Sequence, residues 1–221
     1  MLLKFFLKTV GNLLFSLGIG TIIFTYIPIL YSEVHYSLFL KGKDLSDHQQ
    51  VIEEKVERPT IPDSENILPL QPANPDFSIM INKIAINAPI VQDVTTIKQS
   101  SYLAALREGV AHAQGTALPG EAGNMFLFAH SSLNFWELGP YATVFNLLNK
   151  LEKGDTVIVY YKGSPYLYKV SEIDIVSGWN TEPFYNEYDK PVLTMITCDP
   201  VGTTINRRVV TAELLQAPRK K

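Results

Sequence analysis

Hydrophobic and polar positions divide the chain into three regimes. From Thr9 to Ser32 there are 24 consecutive uncharged residues, most of them Leu, Ile, Phe, Val or Tyr. A helix needs roughly 20 such residues to cross about 30 Å of hydrocarbon. The run exceeds the roughly 7–15 apolar residues of a secretory leader and ends without a small-residue cleavage pattern. The pattern predicts an uncleaved anchor over residues 1–32, with Tyr26, Tyr31 and Tyr36 suited to the outer interface. The second regime, 33–76, starts as a helical extension over Glu33–Val56, with Glu53, Glu54, Lys55 and Glu57 on its solvated side. Pro59, Pro62, Pro69, Pro72 and Pro75 then follow, with no glycine between Gly42 and Gly109. Pro-rich, Gly-poor sequence favours an extended, semi-rigid spacer.

The third regime, 77–221, is a series of short, partly alternating apolar runs, as half-buried strands show. Strands are expected at Phe77–Ile81, at Lys83–Asn87 continuing into Ala88–Val91 after a proline interruption, at Gly109–His112 and at Asn124–Ala129. Further strands are expected at Thr156–Tyr161, Tyr166–Val176, Val192–Thr197 and Arg207–Leu215. Short helices are expected at Thr96–Glu108, ended by Gly109, and at Thr143–Leu151. About eight short strands with one or two small helices give a mainly β domain. A closed eight-stranded barrel is preferred over a sandwich because closure removes sheet edges.

A net charge of −3 and a pI of about 5.8 exclude a polyelectrolyte surface, so nucleic acid is not an expected partner. Lys4 and Lys8 precede the apolar run, while Lys41 and Lys43 follow it. With so short an N-terminal tail, the tail stays inside and the bulk of the chain is exported. No acidic cluster stands out as a metal site, and no cofactor is expected; the sequence leaves calcium dependence open.

Candidate chemistry centres on the single cysteine, Cys198, which ends the apolar run Val192–Thr197 just before the turn-forming Asp199-Pro200-Val201-Gly202. A lone cysteine in an exported chain is either buried and inert or free because it reacts. Reaction requires a thiolate, hence a base or cationic neighbour. Of the four histidines, His35 lies by the membrane and His48 before the spacer. His112 falls inside an expected strand, where a structural role is favoured, whereas His130 sits where a strand meets a loop. An oxyanion also needs stabilising. Arg207 and Arg208 open the last strand, and alternation points them to opposite faces, so only one can serve. The loop Ser177–Lys190 carries Trp179, Phe184, Tyr185 and Tyr188, which either pack under the loop or shape a pocket.

Thr194-Met195-Ile196-Thr197-Cys198 resembles the T-L-x-T-C signature of sortases, with Met in place of Leu. Gly123-Asn124 through Ala129-His130 resembles the family's G-N-x-x-x-x-G/A-H segment. Arg207-Arg208-Val209-Val210-Thr211-Ala212 is similar to its R-x-φ-φ-x-A strand, a register that selects Arg207. Gly109–His112, Gly115–Gly120 and Lys153-Gly154-Asp155 also look like sortase sequence, and the resemblance spans about Phe77 to Leu215 behind an anchor. It implies a sortase-like barrel and a cysteine transpeptidase in which Cys198, His130 and Arg207 are catalytic. Thr197, Ala129, Trp179 and Phe184 would border an LPxTG-like sorting signal. The implied partners are secreted proteins carrying that signal and an amine of the cell wall or its lipid-linked precursor. The D-P-F/W lid motif of pilus-type sortases is absent, which favours protein anchoring over pilin polymerisation. Two alternatives are a cysteine hydrolase of the cell envelope and an inactive anchored binding domain. The papain-type C-G-S-C-W and the L,D-transpeptidase S-H-G-C patterns are both missing, which weakens the first.

Overall fold

A computed structural model describes residues 2–40, 71–132 and 139–218. Helix α1 (Leu2–His35) is followed by a π-helical turn, Tyr36–Leu40. Within α1, Phe6–Phe24 is long and apolar enough to cross a membrane, and none of it is buried against protein. Most of the spacer, including Pro59, Pro62 and Pro69, lies outside the described residues, as does His48.

The eight strands are β1 (Phe77–Ile81), β2 (Ile86–Val94), β3 (Val110–Ala113), β4 (Gly123–Phe128), β5 (Thr156–Tyr161), β6 (Ser164–Ser177), β7 (Pro191–Asp199) and β8 (Asn206–Gln216). They close into a barrel in the order β1-β2-β3-β4-β7-β8-β6-β5. Pairing is antiparallel except for β2 with β3 and β4 with β7. The expected mainly β, closed eight-stranded barrel is the fold found.

Ile79, Ile81, Met125, Leu127, Leu193, Met195, Val210 and Ala212 pack in one core cluster. Met195, where the signature it resembles has leucine, is fully buried there. Methionine and leucine are close in volume, so the exchange fits the core.

Three local expectations are corrected. Asn82–Ile84 forms a 3-10 turn ending in a left-handed Ala85, so Lys83 and Ile84 leave the strand pattern. The proline interruption is absorbed inside β2. Pairing with β1 ends at Pro89 and pairing with β3 begins at Ile90, so the missing proline N–H breaks no ladder. Thr143–Leu151 is a chain of i→i+3 turns leading to the 3-10 segment Leu148–Lys150, and not an α-helix. Phe145 donates its N–H to the carbonyl of His130 at 3.4 Å, which diverts it from a helical ladder.

Helix α2 (Gln99–Glu108) ends at Gly109 as expected, though it starts later than Thr96. Gly109 is required by packing: a Cβ there would lie 2.2 Å from the Pro89 carbonyl oxygen.

Candidate active site

Cys198 is the penultimate residue of β7. Leu193 and Met195 point into the core, so alternation puts Thr194, Ile196 and Cys198 on the outer face of the barrel. The same rule on β4 turns Met125 and Leu127 inward and Phe126 and Phe128 outward, and His130 continues the outward set. On β8, Val210 and Ala212 are inward, so Arg207 is outward and Arg208 inward.

Register supplies the second coordinate. Cys198 is directly opposite Arg207 across β7 and β8. Across the parallel β4–β7 pair, Phe128 faces Ile196, and the Ala129 N–H still reaches the Ile196 carbonyl at 3.3 Å. Carried on, that register sets His130 level with Cys198. The three residues thus occupy one level and one face of three adjacent strands, although no hydrogen bond joins their side chains among the described residues. Burial lowers the pKa of His130 below the usual imidazole value. Arg207 Nη1 donates to the Thr204 and Asn206 carbonyls at 3.5 and 3.2 Å. His112, by contrast, is fully buried, with Nε2 3.1 Å from the Ala117 carbonyl and 3.0 Å from the Thr116 hydroxyl. It is the structural histidine the sequence suggested.

Of the two residues expected at the substrate next to Cys198 and His130, Thr197 borders a cavity shared with Cys198. Thr197 and Ala129 are buried, and the Thr197 hydroxyl donates to the Ala129 carbonyl at 2.9 Å. That bond ties the end of β7 to the end of β4, the two strands that carry Cys198 and His130. Trp179 is 92% exposed in the turn after β6. Phe184, in the short helix α3 (Glu182–Tyr185), meets Phe126 edge-on at 5.1 Å. The Asn124 side-chain amide donates to the Pro183 carbonyl at 3.1 Å. The β6–β7 loop is therefore docked on the outer face of β4, on the side away from His130. Half-buried Phe128 and Ile196 lie on that face between the docked loop and Cys198.

Sequence reasoning missed the groups behind the nucleophile. Arg208 and Asp199, on the inward side, form an ion pair at 2.5 Å with side chains only 17% and 19% exposed. With Ser131, Phe145, Asn146, Asn149 and Cys198 they line a cavity of about 240 Å³ at the barrel mouth. The adjacent β7–β8 loop is pinned by the Gly202 N–H to the Ser131 carbonyl at 2.8 Å and by the Gly178 N–H to the Ile205 carbonyl at 2.9 Å. Alternation sets Arg207 and Arg208 on opposite faces, but which of them turns inward, and onto which partner, emerges only from the strand register.

The sequence pattern of the Sortase domain matches residues 79–215. The chain belongs to the sortase family. Among solved structures, sortase C-1 from Actinomyces oris shares 31% identity at a TM-score of 0.54, over 65% of this chain and 74% of that one. Group B Streptococcus Pilus Island 1 sortase C2 shares 27% identity at a TM-score of 0.53, over 63% and 73%. Listeria monocytogenes sortase A, at 21% identity and a TM-score of 0.53 over 66% and 90%, shares the fold. A comparison with curated protein sequences finds no match. Membership of the sortase family implies a transpeptidase.

Proposed function

We propose that this sortase is a membrane-anchored cysteine transpeptidase acting on an LPxTG-like sorting signal of secreted proteins. The observation that carries the reading is the shared level and face of His130, Cys198 and Arg207. The thiolate of Cys198 attacks the Thr carbonyl of the signal, and Arg207 holds the developing oxyanion. To do so its guanidinium swings from the Thr204 and Asn206 carbonyls onto the substrate. Protonated His130 gives its proton to the departing amine, leaving a thioester on Cys198. An amine of the cell wall or its lipid-linked precursor then attacks, with His130 as base. No cofactor enters these steps.

Half-buried Phe128 and Ile196, on the outer face that also carries Phe126 and its partner Phe184, suit the Leu-Pro part of the signal. Helix α1 anchors the enzyme with its N-terminus inside and the barrel outside, where exported substrates pass. The test is a peptide reaction run with and without an added primary amine. Transfer predicts an amide product only when amine is present and none with Cys198→Ala; release of acid alone at every amine concentration would point to a hydrolase instead.

A further inference from the structure

The end of helix α1 touches the barrel at the mouth that carries Cys198. Strand direction fixes which end this is. β7 runs towards the mouth, so along its antiparallel neighbours β8 starts there, β6 ends there, β5 starts there and β1 ends there. Lys150, shortly before β5, and Asn82–Ile84, directly after β1, therefore sit on the mouth rim. Lys150 Nζ pairs with Glu33 at 2.8 Å and lies over the Tyr36 ring, 5.6 Å from its centroid. Tyr36 packs against the core cluster, and the π-helical turn it opens touches Asn82–Ile84.

Glu33 is also the first charged residue after the uncharged run that ends at Ser32. Roughly 20 residues counted from Thr9 end near Pro28, and a rise of about 1.5 Å per residue puts Glu33 about 8 Å further, at the outer limit of a headgroup layer roughly 5–7 Å deep. The neighbouring part of the rim is the β6–β8 ribbon, since β6 pairs with both β5 and β8. Its tip carries Trp179, 92% exposed, and Ile205, 66% exposed, joined through the Gly178 N–H and the Ile205 carbonyl at 2.9 Å. Left in water, both side chains forgo burial. Tryptophan in particular settles at membrane interfaces, where its ring meets acyl chains and its N–H meets water.

We propose that the mouth rim rests on the bilayer surface, with Lys150 held by Glu33 of the anchor and with Trp179 and Ile205 seated in the headgroup layer. The partner is a lipid surface because the same rim already holds the end of the membrane-spanning helix. Since α1 touches the barrel directly, the length of chain between Leu40 and Gln71 does not set the distance of the barrel from the membrane. The proposal rests on α1 being a membrane anchor and is independent of the acyl-transfer steps.

The test uses the full chain inserted into phosphatidylcholine vesicles, with and without lipids brominated near the top of the acyl chains, which quench tryptophan on contact. Trp136, the second tryptophan, lies outside the described residues, and Trp136→Phe leaves Trp179 as the sole reporter. The proposal predicts that brominated lipid removes most of the Trp179 emission. Lys150→Glu, which sets like charges against Glu33, should weaken the quenching, and the double variant Glu33→Lys with Lys150→Glu should recover it. Emission that bromine leaves unaffected would overturn the proposal, as would quenching that Lys150→Glu leaves unchanged. A blue shift that grows with protein density, without bromine quenching, would assign the tip to a second copy instead. Should Trp136→Phe fail to fold, the difference between the wild type and Trp179→Phe reads the same quenching. A chain that does not float with the vesicles would refute the anchor itself, an outcome distinct from an inserted chain whose Trp179 stays in water.

Discussion

Cys198 and Arg207 are direct partners across β7 and β8, while Arg208 lies opposite Thr197 and turns inward to Asp199. Two adjacent arginines thus have different tasks, and substitution should separate them. Arg207→Ala is expected to lower kcat/KM by about 10²–10³, the size of a lost oxyanion contact, with little change in Tm. Arg208→Met leaves Asp199 without its partner in a largely buried setting. It should cost about 2 kcal/mol of stability, less than the roughly 3–5 kcal/mol of a fully buried pair. Steady-state kinetics beside thermal denaturation of both variants checks the split; equal losses of activity and Tm in the two would contradict it.

Thr197→Val keeps the shape of the side chain but removes the bond to the Ala129 carbonyl. A buried acceptor is then left unpaired, and about 1–3 kcal/mol of stability should be lost. Because the bond spans the strands that carry Cys198 and His130, kcat should fall more than KM rises. Unfolding curves and a kcat–KM comparison read both effects.

Gly178 tolerates no side chain. A Cβ there would stand 2.2 Å from the Thr204 carbonyl oxygen, the same group that accepts from Arg207. Gly178→Ala should displace the β7–β8 loop and reduce activity at least several-fold, with a loss of about 1–3 kcal/mol typical of overpacking. Wild-type turnover in this variant would mean that the loop contact does not position Arg207.

Burial lowers the pKa of both His112 and His130. The unfolded chain binds a proton on each imidazole near pH 6.5, whereas the folded barrel resists until more acidic pH. The unfolded state therefore takes up more protons in that window, and stability falls with falling pH. This stabilisation is fully present above about pH 6.5 and is lost as pH drops towards the folded values. Tm should decline as pH falls below about 6.5, the ordinary imidazole value, and His112→Gln should flatten the slope. Turnover should follow a bell whose acid limb, set by His130, lies below about pH 6.5. A rate that climbs steadily to strongly alkaline pH would contradict the pairing of thiolate with imidazolium.

Much of the fold was legible because period-two alternation and turn residues mark each strand locally. Phe77–Ile81, Thr156–Tyr161 and the Cys198 strand all fall where their apolar runs predict. What local pattern does not carry is register between distant strands. The parallel β4–β7 pairing brings His130 level with Cys198, and nothing near either residue announces it except the family resemblance. Thr197 and Ala129 sit beside Cys198 and His130 in sequence, and both side chains are buried. Thr143–Leu151 reads as helical by composition, yet the Phe145 N–H is taken by the His130 carbonyl, a tertiary bond that local propensity does not encode.

The account stands or falls on the sulfur of Cys198 carrying an acyl group. Intact-mass spectrometry of the full chain mixed with a library of LPxTG-like peptides measures this directly. The prediction is an adduct equal to the N-terminal portion of the cleaved peptide, mapped to Cys198, released by hydroxylamine and absent in Cys198→Ala. A sulfur that stays unmodified across the library, or an adduct that persists in Cys198→Ala, would contradict it.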